Sequence, residues 1–212
     1  MNYRSIREQV YETVIRIQEA GLTRLSAGNV SARTEDGLVA ITPSAIQYDT
    51  LAPEDIAIVD LEGSPVDAPR TPSSETPMHT AILRTFPALN AVCHTHSPHA
   101  IAFSMAAEEI PPANVELLLC GAPIPVARWV SPGTVGNAEV ALEILGARPA
   151  LKVFLLRQHG LVAVGASLGQ AFEFAFDAEV GLQAYYYALG IGSPKPLTPE
   201  QIAQVQKRYG FG

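Results

Sequence analysis

The chain has 212 residues, 48% of them hydrophobic and 17% charged, a balance that fits one well-buried domain over 1–212 and excludes a disordered chain. Its formal net charge of −7 argues against nucleic acid as a partner, since that needs a basic face, but leaves room for a small anion held by backbone N–H groups and a metal. Cys93 and Cys120 make no spaced framework, the N-terminal stretch carries charges throughout with no signal-peptide core, and no run reaches about 20 apolar residues, so a cytoplasmic protein without a membrane span is expected.

Over residues 3–20, Ile6, Val10, Val14 and Ile17 recur at helical spacing and Gly21 ends the pattern. Strand-like runs follow at 30–33, 38–42 and 56–61, separated by Asp36-Gly37, Thr42-Pro43-Ser44 and Glu62-Gly63-Ser64-Pro65, and the first two are expected to pair as a hairpin. Residues 74–86 read as a helix with Pro77 in its first turn. A strand at 91–96, a helix at 97–105, a strand at 124–129 and a helix at 134–145 come next. Strands at 153–156 and 161–164, a long helix at 168–189 and a terminal helix at 199–207, with Tyr209 just beyond it, complete the pattern. The order is not a regular βαβ alternation, so the expected fold class is α/β with a largely antiparallel or mixed sheet covered by helices on both faces. The glycine fingerprint of dinucleotide-binding folds is absent.

The strongest chemical signal is His94-Thr95-His96. Side chains alternate along a strand, so the two imidazoles share a face, roughly 6–7 Å apart at the backbone, and can converge on one cation. Val92 shares that face, while Cys93 points away with Thr95. Two half-exposed histidines near a strand end are the simpler alternative. His159, in the turn Gln158-His159-Gly160 between two apolar strands, would by itself more often be structural; as a third ligand it completes a three-histidine set with open positions, as a catalytic metal requires. Pro72-Ser73-Ser74-Glu75 opens a helix, where unpaired N–H groups and two hydroxyls suit an anion, although an ordinary N-cap needs the same residues. Glu75 is a candidate general base or displaceable fourth ligand, or only a favourable partner for the helix dipole. Ser26-Ala27-Gly28-Asn29-Val30-Ser31 and Thr42-Pro43-Ser44-Ala45 are turns by default that let backbone approach a ligand. His79, one helical turn after Glu75, could support it, but is expected to be partly buried and structural; His99 is expected to be superficial.

These segments together resemble the class II aldolase/adducin family: Gly28-Asn29-Val30-Ser31, Ile41-Thr42-Pro43-Ser44, Pro72-Ser73-Ser74-Glu75, His94-Thr95-His96 and Gln158-His159-Gly160-Leu161 occur in the family's order and at similar spacing. The resemblance implies a three-layer α/β/α sandwich with a central, mostly antiparallel sheet, and a homotetramer with active sites between subunits. It implies a divalent metal, zinc first and manganese, iron(II) or cobalt as alternatives, on His94, His96 and His159, with Glu75 as the acid/base that also touches the metal. Gly28, Asn29, Thr42, Ser44, Ser73 and Ser74 then match phosphate-binding loops. Within the family the branch resembled most is that of sugar-1-phosphate aldolases of the fuculose-phosphate type; Glu75 fits that branch, and Lys207-Arg208-Tyr209-Gly210 resembles a tail whose tyrosine, here Tyr209, takes part in proton transfer. Two departures stand out. No tyrosine occurs at Asn114-Val115-Glu116, where the family aldolase has one, and Ala45 occupies a position where glycine is common. The implied activity is cleavage of a ketose 1-phosphate to dihydroxyacetone phosphate and an aldehyde through a metal-stabilised enediolate. Epimerase, dehydratase and decarboxylase activities on the same fold are the nearest alternatives, and an adducin-like interaction domain a more distant one.

Overall fold

The computed structural model describes residues 3–210. The first periodic segment forms α1 (Arg4–Glu19), with Val10, Thr13, Val14 and Ile17 buried along one side. Strands β1 (Asn29–Arg33) and β2 (Val39–Ile41) close the expected hairpin, with Ser31 opposite Ile41 and Ala32 opposite Ala40. Thr34 holds the turn between them: its hydroxyl donates to the Asp36 carboxylate at 2.5 Å and accepts the Leu38 N–H at 2.9 Å. There follow β3 (Ala57–Val59), β4 (Pro65–Asp67), α2 (Thr76–Thr85), β5 (Ala91–Thr95), α3 (Pro98–Ala106), β6 (Glu109–Ile110), α4 (Val115–Leu119) and β7 (Ile124–Ala127). The chain ends with α5 (Val135–Ala147), β8 (Val153–Leu156), β9 (Gly160–Gly165), α6 (Leu168–Ile191) and α7 (Pro199–Tyr209).

The strands make one sheet in the order β4-β3-β2-β1-β5-β9-β8-β7-β6. Neighbours are antiparallel except β7 and β8, which run parallel because α5 carries the chain across between them. Each face carries its own hydrophobic layer. On one, Val10, Val14 and Ile17 of α1, Phe103 of α3 and Ala171, Ala175 and Leu182 of α6 pack on Val30, Cys93, Leu155 and Ala163. On the other, Met78, Ile82 and Leu83 of α2 and Val140 and Leu145 of α5 pack on Ile41, Val92, Phe154 and Val162. The architecture is therefore a three-layer α/β/α sandwich, and alternation along β5 sends Val92 and His94 to the α2/α5 side.

Four local readings change. The stretch read as a turn at 62–65 leads straight into β4, an exposed edge strand where Pro65 costs no ladder bond. Asp60 makes the turn itself by accepting N–H groups of Glu62 and Ser64 at 3.0 and 2.7 Å. β6 and α4 were invisible to periodicity because they span less than two turns or repeats; α4 starts where Asn114 caps the Leu117 N–H at 2.9 Å. The helix expected from residue 74 begins at Thr76, since Ser73 and Ser74 remain in the preceding loop and the Ser73 hydroxyl accepts the Glu75 N–H at 3.2 Å. β5 stops at Thr95, which leaves His96 just past the strand end.

Candidate active site

His94, His96 and His159 come together. Their ring centroids are 4.8–5.0 Å apart with edge-on orientations, and their nearest ligand atoms all lie within 4.8 Å of one another. His94 sits in the middle of the sheet, opposite Asn29 on β1 and Val162 on β9. His159 stands in the three-residue connection from β8 to β9, where Gln158 takes a left-handed conformation (φ 56°); the Gln158 N–H donates to Ser104 Oγ at 3.0 Å and the His159 N–H to the Leu156 carbonyl at 3.1 Å. Two glycines make the close approach possible: a Cβ on Gly28 would meet the His94 carbonyl oxygen at 2.6 Å, and one on Gly160 would meet the Thr95 carbonyl oxygen at 2.3 Å.

The donor set fits a divalent cation. The Leu161 carbonyl can only accept, so the His94 Nδ1 that lies 2.9 Å from it carries the proton and Nε2 faces the cluster. His94 Nε2 and His96 Nε2 are 3.2 Å apart, close to the separation of about 3–3.4 Å between two nitrogens bound to one metal at about 2.0–2.1 Å. Burial, and then the neighbouring imidazoles of His94 and His159, push His96 down to about 3; burial and His94 push His159 down to about 4. Both rings are therefore neutral and present lone pairs. Burial lowers His94 as well, but the charge and hydrogen bond of Glu75 outweigh it and the net shift is upward.

Glu75 lies at the N-cap of α2, buried beside the cluster, with Oε2 3.1 Å from His94 Nε2 and Oε1 3.8 Å from His159 Nε2. Burial alone would raise its carboxyl; the charge and hydrogen bond of His94, then the hydrogen bond from Asn29 and the charge of His159, hold it well below the usual carboxylate range. Two amides grip it: Asn29 Nδ2 donates to Oε2 at 2.9 Å and Asn137 Nδ2 donates to Oε1 at 3.0 Å. Asn137 had no motif around it. The one available signal was an asparagine, a residue that favours caps and turns, inside a helical run. His79 is not partly but completely buried and bonds Asn29 and Ser31, and burial keeps it neutral by lowering it to about 3. His99 is likewise not superficial: it is half-buried, with Nδ1 2.8 Å from Glu179 Oε1, and the same carboxylate accepts the N–H groups of His99 and Ala100 at the start of α3.

A cavity of about 310 Å³ opens over this cluster, lined by Gly28, Asn29, Ser44, Ala45, Ser73, Ser74, Glu75, His96, Gly133 and His159 among others. Its loops are tied together: the Ser44 N–H donates to the Thr71 carbonyl, the Ser73 N–H to the Thr42 carbonyl, and Pro43 bridges Pro72. Five of the six residues expected around a phosphate thus face one space. Thr42 does not. It is fully buried, and its hydroxyl faces the strand, accepting the Val30 N–H at 3.1 Å. The Asn29 side chain is already committed to Glu75 and His79. No lysine or arginine lines this cavity, so an anion there would be met by N–H groups, hydroxyls and a cation. Tyr209 is exposed at the end of α7 and lies outside the cavity lining.

Known proteins resemble this chain along nearly its whole length. The family model for the class II aldolase and adducin N-terminal domain matches residues 8–186. The chain is 34% identical over 208 residues to a 5-deoxy-D-ribulose 1-phosphate aldolase of Bacillus thuringiensis serovar kurstaki, covering 97% of this chain and 96% of that one. It is 34% identical over 211 residues to an L-fuculose phosphate aldolase of Escherichia coli O6:H1, covering 99% and 96%. A solved L-fuculose 1-phosphate aldolase superposes with a TM-score of 0.89 at 27% identity, over 98% of this chain and 97% of the other.

Proposed function

The chain belongs to the class II aldolase and adducin family, and from that premise we propose that it is a metal-dependent aldolase cleaving a ketose 1-phosphate into dihydroxyacetone phosphate and an aldehyde. The observation that carries this reading is the meeting of three imidazoles with the buried Glu75 carboxylate at the floor of an anion-suited cavity. His94, His96 and His159 would hold the cation, with Glu75 near enough to join them or be released. When bound, the cation supplies a Lewis acid for the negative charge that develops on the substrate as the enediolate forms. The phosphate would lie against Gly28, Asn29, Ser44, Ser73 and Ser74. The C4 hydroxyl proton would pass through Tyr209 to water as the C3–C4 bond breaks, the electron pair would stay with the C2–C3 fragment, and Glu75, ionised at rest, would take up a proton from water and deliver it to C3. An imine route is disfavoured, because Lys152, Lys195 and Lys207 are the only lysines and none lines the cavity.

Zinc is the favoured ion for a three-imidazole set, and manganese, iron(II) or cobalt would fit the same donors. A homotetramer with active sites between subunits belongs to the same proposal. Exposed Tyr186, Tyr187, Leu189 and Ile191 at the end of α6, and an α7 with no buried residue, support it, and Tyr209 would then serve a neighbouring subunit's site. A cytoplasmic setting is supported by the free, buried Cys93 and Cys120, and no helix among the described residues is long and apolar enough to cross a membrane. The test is a panel of ketose 1-phosphates offered to metal-replete protein, with dihydroxyacetone phosphate read by a coupled reductase. Release of the triose phosphate, lost on chelation and restored by zinc, is the expected result; turnover at full rate after thorough chelation overturns the proposal.

A further inference from the structure

Asn29 and Ser31 are two residues apart on β1 and share a face, while Glu75 and His79 are four apart and share a side of α2. Packed together, they form a buried hydrogen-bond chain, Ser31–His79–Asn29–Glu75. Ser31 and His79 are 0% exposed, Glu75 5% and Asn29 6%, so the chain is largely shielded from bulk water.

An asparagine amide has a donor end and an acceptor end, and only the donor end suits an ionised carboxylate. A half-turn of Asn29 would set its carbonyl against Glu75 Oε2. The ionised Glu75 carboxylate only accepts, so it turns Nδ2 of Asn29 towards itself and Oδ1 towards His79. His79 Nε2 lies 2.5 Å from Asn29 Oδ1; the amide oxygen can only accept, so Nε2 carries the proton. The other nitrogen, Nδ1, then accepts the Ser31 hydroxyl at 2.7 Å. Every group in the chain has one role, and the chain ends on the oxygen that lies 3.1 Å from His94 Nε2. The second amide on Glu75 has no such lock: among the described residues Asn137 Oδ1 is buried without a partner.

We propose that His79 is a positioning residue for the aldolase reaction, acting through Asn29 to set Glu75 Oε2 beside the metal site for proton transfer to carbon. This rests on the aldolase reading above. Four holoenzymes are compared: wild type, His79→Leu, His79→Gln and Ser31→Ala. For each, metal content, kcat and KM for cleavage are measured, with hydrogen–deuterium exchange at the hydroxymethyl carbon of dihydroxyacetone phosphate followed by NMR. His79→Leu is expected to lose about 10- to 100-fold in kcat and in exchange with KM and metal content unchanged. His79→Gln, whose amide N–H can donate to Asn29 Oδ1, is expected to recover most of both. Wild-type exchange in His79→Leu, or a loss carried equally by KM or metal content, overturns the proposal. Should His79→Leu fail to fold, Ser31→Ala decides: a drop of about threefold to tenfold in exchange supports the chain and no drop overturns it. A metal-replete wild type that neither cleaves any ketose 1-phosphate nor exchanges this proton refutes the aldolase reading itself, a result distinct from an active wild type with an indifferent His79.

Discussion

Gly160→Ala tests how closely the strands must approach to build the proposed metal site. The added Cβ would lie 2.3 Å from the Thr95 carbonyl oxygen and 3.1 Å from His94 Cε1, whereas ordinary contact begins at 3.4 Å. The first pair must therefore separate by about 1 Å. The oxygen is strand backbone at the end of β5, flanked by His94 and His96, and Gly160 follows His159 directly, so the separation falls between two of the proposed ligands and the third. Metal–ligand distances tolerate only about 0.2 Å. Bound metal is expected to weaken at least about tenfold, and the fold to lose roughly 1–3 kcal/mol to overpacking. The assays are metal retention against a competing chelator and urea unfolding, with Gly146→Ala as the control. Gly146 lies on α5 with nothing within 4 Å of its Cβ, so alanine there should stabilise by about 1 kcal/mol through helix propensity. Wild-type metal affinity and stability in Gly160→Ala would refute the argument that this glycine is required by close approach.

Three further outcomes follow from the same structure. Glu75→Gln should keep its metal, because the three imidazoles remain, yet lose about 10²- to 10⁴-fold in kcat and in carbon proton exchange; an exchange rate equal to wild type contradicts the acid/base role. Ala45 is held at φ 59°, a left-handed conformation that disfavours any residue with a Cβ, so Ala45→Gly should stabilise by about 0.5–1 kcal/mol in urea unfolding, and a loss of stability counts against strain at this turn. His79 sits near 3 in the folded protein against an ordinary 6.5. Below 6.5 the unfolded chain takes up a proton that the folded one refuses, so this contribution to stability is present above 6.5 and is lost as pH falls towards 3. Between pH 7 and 5, metal-free wild type should lose about 2 kcal/mol more than His79→Gln by denaturant unfolding, and equal losses would show that His79 is not held neutral.

How far the site was legible depended on whether its evidence was local. Alternation along one strand was enough to place His94 and His96 on the same side, whereas the turn between two apolar runs only allowed His159 to be aimed back at them. Glu75 was marked by its place at a helix start. Thr42 was misread because a Thr-Pro-Ser turn looks the same whether its hydroxyl faces a cavity or, as here, the Val30 N–H. Asn29 was assigned by its neighbours in the chain, but its amide belongs to Glu75, 46 residues away. Asn137 had nothing nearby in the chain to distinguish it from a residue that fills a helix, and His79, one helical turn after Glu75, was read as structural.

The order of side chains alone therefore determined the layered α/β/α fold, the hairpin of β1 and β2, and the three imidazoles proposed to hold a metal, because each rests on a repeat of two or 3.6 residues or on a turn that neighbouring residues dictate. The tertiary structure decided the rest: the parallel seam between β7 and β8, the short β6 and α4, and the amides that grip Glu75 from β1 and α5. A hydrogen bond between groups dozens of residues apart leaves no periodic trace. It exists only once two hydrophobic layers have closed on the sheet and left those polar atoms no other partner.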